Sequence, residues 1–297
     1  MKIVSLLPSG TEVVCSLGAI DDIVGVSHEC DYPPEVRSRP VLIRSTMKRE
    51  ELSSGDIDRG VKERGRMHVI DTELLDKLSP DVVITQDICN VCAAPHSEVI
   101  KAAAEAGIEP TIVSMNTHTF SDMFRSIGEI AAVINREKEG RELLSAMQNR
   151  VENIRKKALQ AKKVRVACIE WLDPLYVAGA WMPEMVGIAG GHDVLGIAGE
   201  HSLLVRCDDI ENAHPEKIIF MPCSFPIGRT LGELSNVTGN GGWKKLSGSV
   251  KGAYVMDGRL TSRPGPRLID GLETIASILH PEIFGTELDG SVAVKIS

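Results

Sequence analysis

From Thr111 to Asp173 the chain contains no proline. Inside that stretch the segment Arg136 to Ala161, REKEGRELLSAMQNRVENIRKKALQA, repeats Leu143, Leu144, Met147, Val151 and Ile154 at helical spacing. Proline interrupts helices because it lacks an amide hydrogen and its ring crowds the preceding turn, so its absence permits one unbroken rod. About 26 residues at roughly 1.5 Å each give a rod near 39 Å, much longer than the average globular helix. The rest of the fold must be arranged around that rod.

On either side of it, short β-branched runs alternate with amphipathic stretches. Before it, Ile3 to Leu6, Ile23 to Val26, Val82 to Thr85 and Thr111 to Val113 read as strands. Ser9 and Thr11 supply N-cap chemistry for a helix through Leu17, and Pro95 opens a helix that Gly107 closes. After the rod, strands are expected at Val164 to Ile169, Ile218 to Met221 and Ala253 to Met256, with helices after Pro183 and from Pro266 to Leu279. Such alternation implies largely parallel sheets. The expected fold is therefore α/β: two Rossmann-like lobes, residues 1–118 and 163–297, joined by connecting helices over 119–162 that include the long backbone helix. A single doubly wound domain with one long helix is the alternative. The tail after Phe284 carries no structural signal and is expected to be loosely ordered.

Composition excludes some functions. A net charge of -8 and no long basic run argue against a nucleic-acid partner, which draws on clustered Lys and Arg. No window approaches 18 unbroken apolar residues, so no membrane insertion is expected. The N-terminus enters KIVSLLPS without the features of a secretion leader, which places the chain in the cytoplasm unless a signal has been removed. In that reducing setting the odd number of cysteines, 7, favours free thiols, metal ligation or redox work over a disulfide framework. No Ser-His-Asp order, paired carboxylates or H-E-x-x-H stands out, so binding is favoured over catalysis.

Six segments, IVSLLPSGTEVVCSLG, VGVSHECDYPP, LSPDVVITQD, EWLDPLYVAGAWMPEMVGIAGG, PEKIIFMPC and SRPGPRLIDGLETIA, occur in an order that covers nearly the whole chain. In these the sequence resembles the helical-backbone (class III) periplasmic-binding-protein fold, and within it the cobalamin-binding proteins related to siderophore and haem binders. The resemblance implies two lobes that move little about a stiff helix and a ligand held between them. It also implies a corrinoid (cobalamin-like) or related metallo-tetrapyrrole or metal chelate as that small-molecule ligand, and an ABC permease as partner if the protein is exported. The segments that it places at the cleft hold Tyr32, Trp171, Tyr176 and Trp181, whose broad rings suit a flat macrocycle. The bland reading of Trp171 and Trp181 is that they cap the second lobe's core. His28 is a candidate lower axial donor to a corrin cobalt, or a hydrogen-bonded loop residue. Arg263 and Arg267 could meet carboxylates or amides of a ligand; surface pairs with Asp270 or Glu273 are the slightly favoured reading.

Cysteines follow three predicted strands: Cys30 in GVSHEC, Cys89 and Cys92 in TQDICNVC, and Cys223 in FMPCSF. If two lobes face each other, the four thiols converge on one cleft. Zinc and iron-sulfur clusters both accept thiolates two residues apart, which makes a metal or cluster protein with redox or sulfur-handling activity the second functional reading. A redox dithiol ranks below it. Burial as small apolar residues is the plain alternative for each, and the favoured one for Cys15 and Cys168.

Overall fold

The computed structural model describes residues 1–47, 51–64, 68–87, 94–238 and 250–297. The first sheet uses β1 (Ile3–Ser5), β2 (Ile23–Ser27), β3 (Val41–Ser45), β4 (His68–Ile70), β5 (Val82–Thr85) and β6 (Thr111–Ser114), in the order β4-β3-β2-β1-β5-β6. All its neighbours run parallel except β3 and β4. Its helices are α1 (Pro8–Ser16), α2 (Ser54–Arg64), α3 (Thr72–Leu78) and α4 (His96–Glu105). Then α5 (Phe120–Val133) and α6 (Glu137–Ala158) lead out of the lobe.

The second sheet comprises β7 (Val164–Trp171), β8 (Tyr176–Val177), β9 (Gly191–Asp193), β10 (Leu203–Leu204), β11 (Lys217–Phe220), β12 (Gly252–Met256) and β13 (Ala293–Lys295). Its order is β10-β8-β7-β11-β12-β13, with β9 also paired to β7. The β7, β11 and β12 core is parallel, and β9 joins it in the same sense. The helices are α7 (Met182–Ile188), α8 (Cys207–Asn212), α9 (Ile227–Thr238), α10 (Leu268–Leu279) and α11 (Pro281–Phe284). Among the described residues no helix is long and apolar enough to cross a membrane.

The rod is α6, 22 residues long, or about 33 Å at 1.5 Å per residue. Its buried Met147, Val151, Ile154 and Ala158 recur at helical spacing along one face. That face joins a core running from Ile3 and Val14 of the first lobe to Met185 and Ile275 of the second. Both lobes are therefore cemented to the same stiff element. Arg150 on α6 reaches Glu273 at 2.7 Å and Asp270 at 2.6 Å on α10. Separating α5 from the preceding loop is a reciprocal cap: Thr119 Oγ1 accepts from the Asp122 amide, and the Asp122 carboxylate accepts from the Thr119 amide.

Three expectations are corrected. Ser9 and Thr11 do not cap α1: the helix starts at Pro8, whose fixed φ suits the first helical position, and Thr11 sits inside it with its hydroxyl on the Leu7 carbonyl. The tail is ordered, because β13 pairs antiparallel with β12 and buries Ala293. Finally, Asp270 and Glu273 take Arg150 as partner rather than Arg263 or Arg267.

Candidate functional site

The loops at the carboxyl ends of the two sheets meet across a gap. In the second lobe β9 and β11 lie on opposite sides of β7, so the connections leaving the strand ends diverge there. Open α/β sheets bind ligands at such switch points. A cavity of about 210 Å³ occupies it, walled by Glu170 at the end of β7, Met221 and Cys223 beyond β11, Thr261 and Ser262 beyond β12, and Trp181 before α7. Gln86, just past β5, is the first lobe's contribution. A larger open furrow of about 880 Å³ runs along α6 between α5 and α7, away from this switch point, and gathers no comparable set of polar groups from strand ends.

Glu170 is the unusual group in the cavity. Burial pushes its carboxyl up to about 7, the nearby Cys223 thiol pushes in the same direction, and the Ser202 hydroxyl, which donates to it, opposes them. The Cys223 amide donates to the Glu170 carbonyl at 3.0 Å, so β7 and β11 hold the two side chains together. Trp181 is 9% exposed and fixed by its indole N–H on the Thr261 carbonyl at 2.8 Å. Gly258 makes this wall possible, since a side chain there would strike the Pro222 carbonyl in the loop beyond β11.

Two ties close the gap. The first is charged. Arg263 is 4% exposed and its guanidinium donates to Asp31 at 2.5 Å and to Glu12 at 3.3 Å, both in the first lobe. Arg267 donates to Glu12 at 3.3 Å and stacks over the Tyr32 ring at 4.1 Å, while Arg259 reaches Asp31 at 3.3 Å. Burial holds the Glu12 carboxyl above its ordinary value despite the two arginines. Burial also acts upward on Asp31, but Arg263 and Arg259 outweigh it and leave Asp31 below the usual range. The second tie is largely apolar. Trp171 and Phe225, with ring centres 5.3 Å apart, pack with Met47, Ile57, Leu52 and Val61 of the first lobe. The Trp171 indole N–H donates to the Ser54 carbonyl at 3.3 Å, and the Ser54 amide donates to Glu233 at 2.8 Å.

The residues singled out in the sequence thus divide. Trp181 and Cys223 line the cavity, and Arg263, Tyr32 and Trp171 lie on the ties around it. Tyr176 pairs with Trp171 and Leu204 at the sheet's side and lies against Lys62 of α2. His28 is held by the Ile43 carbonyl at 2.9 Å, beside His68, within the first sheet. Cys30 is 4% exposed in the first lobe's core, bonded to the Thr11 hydroxyl at 3.0 Å, and burial pushes its thiol up to about 12. A protonated, enclosed thiol is a poor metal ligand. Cys89 and Cys92 lie outside the described residues, and among those residues no three His, Cys, Asp or Glu side chains group as a metal site. Glu12, Asp31, Glu170 and Ser202 escaped the sequence reading. SHECDYPP displayed Asp31, but nothing local distinguishes a buried carboxylate from an exposed one.

The sequence profile described as periplasmic binding protein matches residues 3–251. The chain belongs to the periplasmic binding protein family. It is similar, at 29% identity, to an uncharacterized ABC transporter substrate-binding lipoprotein, YvrC, of Bacillus subtilis; the match covers 95% of this chain and 81% of that one. Its fold is similar to the periplasmic haem-binding protein of Pseudomonas aeruginosa, with TM-score 0.74, 16% identity, and 100% and 98% of the two chains covered. The vitamin B12-binding protein BtuF of Vibrio cholerae gives 0.69, 18% identity, and 96% and 98%. The two-lobe, helical-backbone fold expected from the sequence is this family's. The expected cytoplasmic location is overturned: the family is periplasmic by description and the Bacillus relative is a lipoprotein. The argument from a reducing compartment goes with it, although none of the five described cysteines is in a disulfide.

Proposed function

We propose that this chain is the substrate-binding component of an ABC importer and that its cargo is a corrinoid or a related metallo-tetrapyrrole, held between the lobes and handed to a permease. The observation that carries the substrate-binding role is the cavity at the strand ends, with Trp181 as its wall and residues of both lobes closing it. Vitamin B12 and haem binders among the similar folds support the class of cargo.

The chain's own residues would divide the work. Trp181 offers an apolar face that costs little entropy to order. Glu170, Ser202, Thr261 and Ser262 offer polar contacts, and Arg263, released from Asp31 and Glu12, could pair with carboxylates or amides at a macrocycle's edge. Small-molecule sites usually have roughly 300 to 1,000 Å³, so a macrocycle requires the charged tie to part and the lobes to separate. A smaller metal chelate is the second reading, and the cavity of about 210 Å³ favours it.

Equilibrium dialysis of the purified protein against cyanocobalamin and against haemin, followed by absorbance, tests the first reading. Saturable retention with a shifted spectrum is expected for one of them. No retention of either at micromolar concentration would remove the macrocycle and leave the smaller chelate.

A further inference from the structure

At the rim of the cavity two histidines face each other from opposite lobes. His118 lies in the loop between β6 and α5, and His201 in the loop between β9 and β10. Their ring centres are 6.0 Å apart and the planes nearly perpendicular, at 76°. His201 lines the cavity itself. Both side chains are exposed, and among the described residues neither ring nitrogen makes a hydrogen bond; His118 is anchored through its backbone amide on Asp122 at 3.1 Å. The loops beneath are pinned: the Phe120 amide donates to Glu184 across the gap at 2.9 Å, and the Ala180 amide donates to the Glu200 carbonyl at 2.6 Å.

From this geometry we infer that His118 and His201 form a two-imidazole clamp for a borderline transition-metal ion that arrives with ligands of its own, a small metal chelate. An ion about 2.1 Å from one nitrogen of each ring sets the ring centres roughly 5 to 6.5 Å apart, which spans the observed 6.0 Å. Imidazole suits copper, nickel, zinc and iron better than calcium or magnesium. No third His, Cys, Asp or Glu of the described residues completes a site. Two nitrogens leave coordination positions open, and the cavity below is where the ion's own ligands would lie. Because one donor comes from each lobe, the ion is held only when the lobes are together, so recognition of cargo and closure become one event. The inference deepens the second reading of the proposed function and rests on the substrate-binding role, not on the macrocycle.

The test uses untagged protein and the aqueous salts of copper(II), nickel(II) and zinc(II), each titrated calorimetrically, with the copper signal followed by electron paramagnetic resonance. One ion per chain and a signal with two nitrogen donors are expected. Losing one arm of a two-point attachment should weaken binding by on the order of a hundredfold, so His118→Ala and His201→Ala should each do so. His214→Ala, exposed on another surface beyond α8, should leave binding unchanged. Both test residues are exposed, and circular dichroism melts should match the parent. Wild type that takes up no ion, or variants that bind as wild type does, would overturn the clamp. Failure to retain cobalamin or haemin while ion uptake depends on both histidines would remove only the macrocycle.

Discussion

Replacing Arg263 by methionine keeps most of the apolar stem and removes the guanidinium that joins the lobes. Asp31 keeps Arg259 at 3.3 Å, but Glu12, 2% exposed, is left with Arg267 alone at 3.3 Å. Breaking a buried pair from one side costs about 3 to 5 kcal/mol. Glu12 has an escape: it can take up a proton. From its ordinary value of 4.5, doing so at pH 7 costs about 3.4 kcal/mol, at roughly 1.36 kcal/mol per unit. The charge-related loss is therefore capped near that figure at pH 7, and it shrinks to about 0.7 kcal/mol at pH 5. The sign follows from linkage: a carboxyl held above its unfolded value favours folding at low pH and loses that contribution as the pH rises. Urea unfolding of wild type and variant at pH 5, 6 and 7 measures this, with scattering profiles reporting lobe separation. Adding Glu12→Gln to Arg263→Met should restore most of the loss at pH 7, because no unpaired charge remains. A loss under about 1 kcal/mol at pH 7, or a loss independent of pH, would refute the buried charged tie.

Glu170 gives a second pH dependence. With its carboxyl raised from 4.5 to about 7, it should withdraw up to about 3 kcal/mol of folding stability as the pH climbs through that window. Glu170→Gln should flatten the slope, and identical slopes in urea melts would count against the raised value. Trp171→Ala should cost about 2 kcal/mol, below the range for a fully buried tryptophan because the ring is only half-buried. It should also enlarge the radius of gyration, and an unchanged radius would show that the Phe225 cluster does not hold the lobes together. In native protein an aromatic disulfide reagent should label Cys223 and spare Cys30 and Cys168, whose thiols burial keeps protonated. Mass mapping that finds Cys30 labelled as fast as Cys223 would contradict its enclosure.

The two lobes and the rod were legible in the chain because helix and strand periodicities are local: the apolar stripe of α6 and the β-branched run of β7 each declare themselves within a few residues. The same locality put the cavity-lining loops after the strands, and Trp181 and Cys223 are found there. Locality also explains what was missed. The partners of Arg263 lie 232 and 251 positions away, and the nearer Asp270 and Glu273 offered a plausible but incorrect pairing. Cys30 follows a strand as Cys223 does, yet one thiol turns into a core and the other toward the cavity.

The amino-acid order by itself determined the rod, the central strands β1, β2, β5, β6, β7, β11 and β12 with their parallel alternation, and which loops follow those strands. The flanking strands β3, β4, β8, β9, β10 and β13, with three antiparallel pairings in the second lobe, were not legible in it. Only the tertiary structure decided which of those loop residues touch across the gap: Arg263 with Glu12 and Asp31, Trp171 with Met47 and Ile57, His118 with His201. The physical reason is that such contacts depend on how the two sheets are seated on α6. That seating is set by the summed packing of a shared core, which no short window of sequence contains.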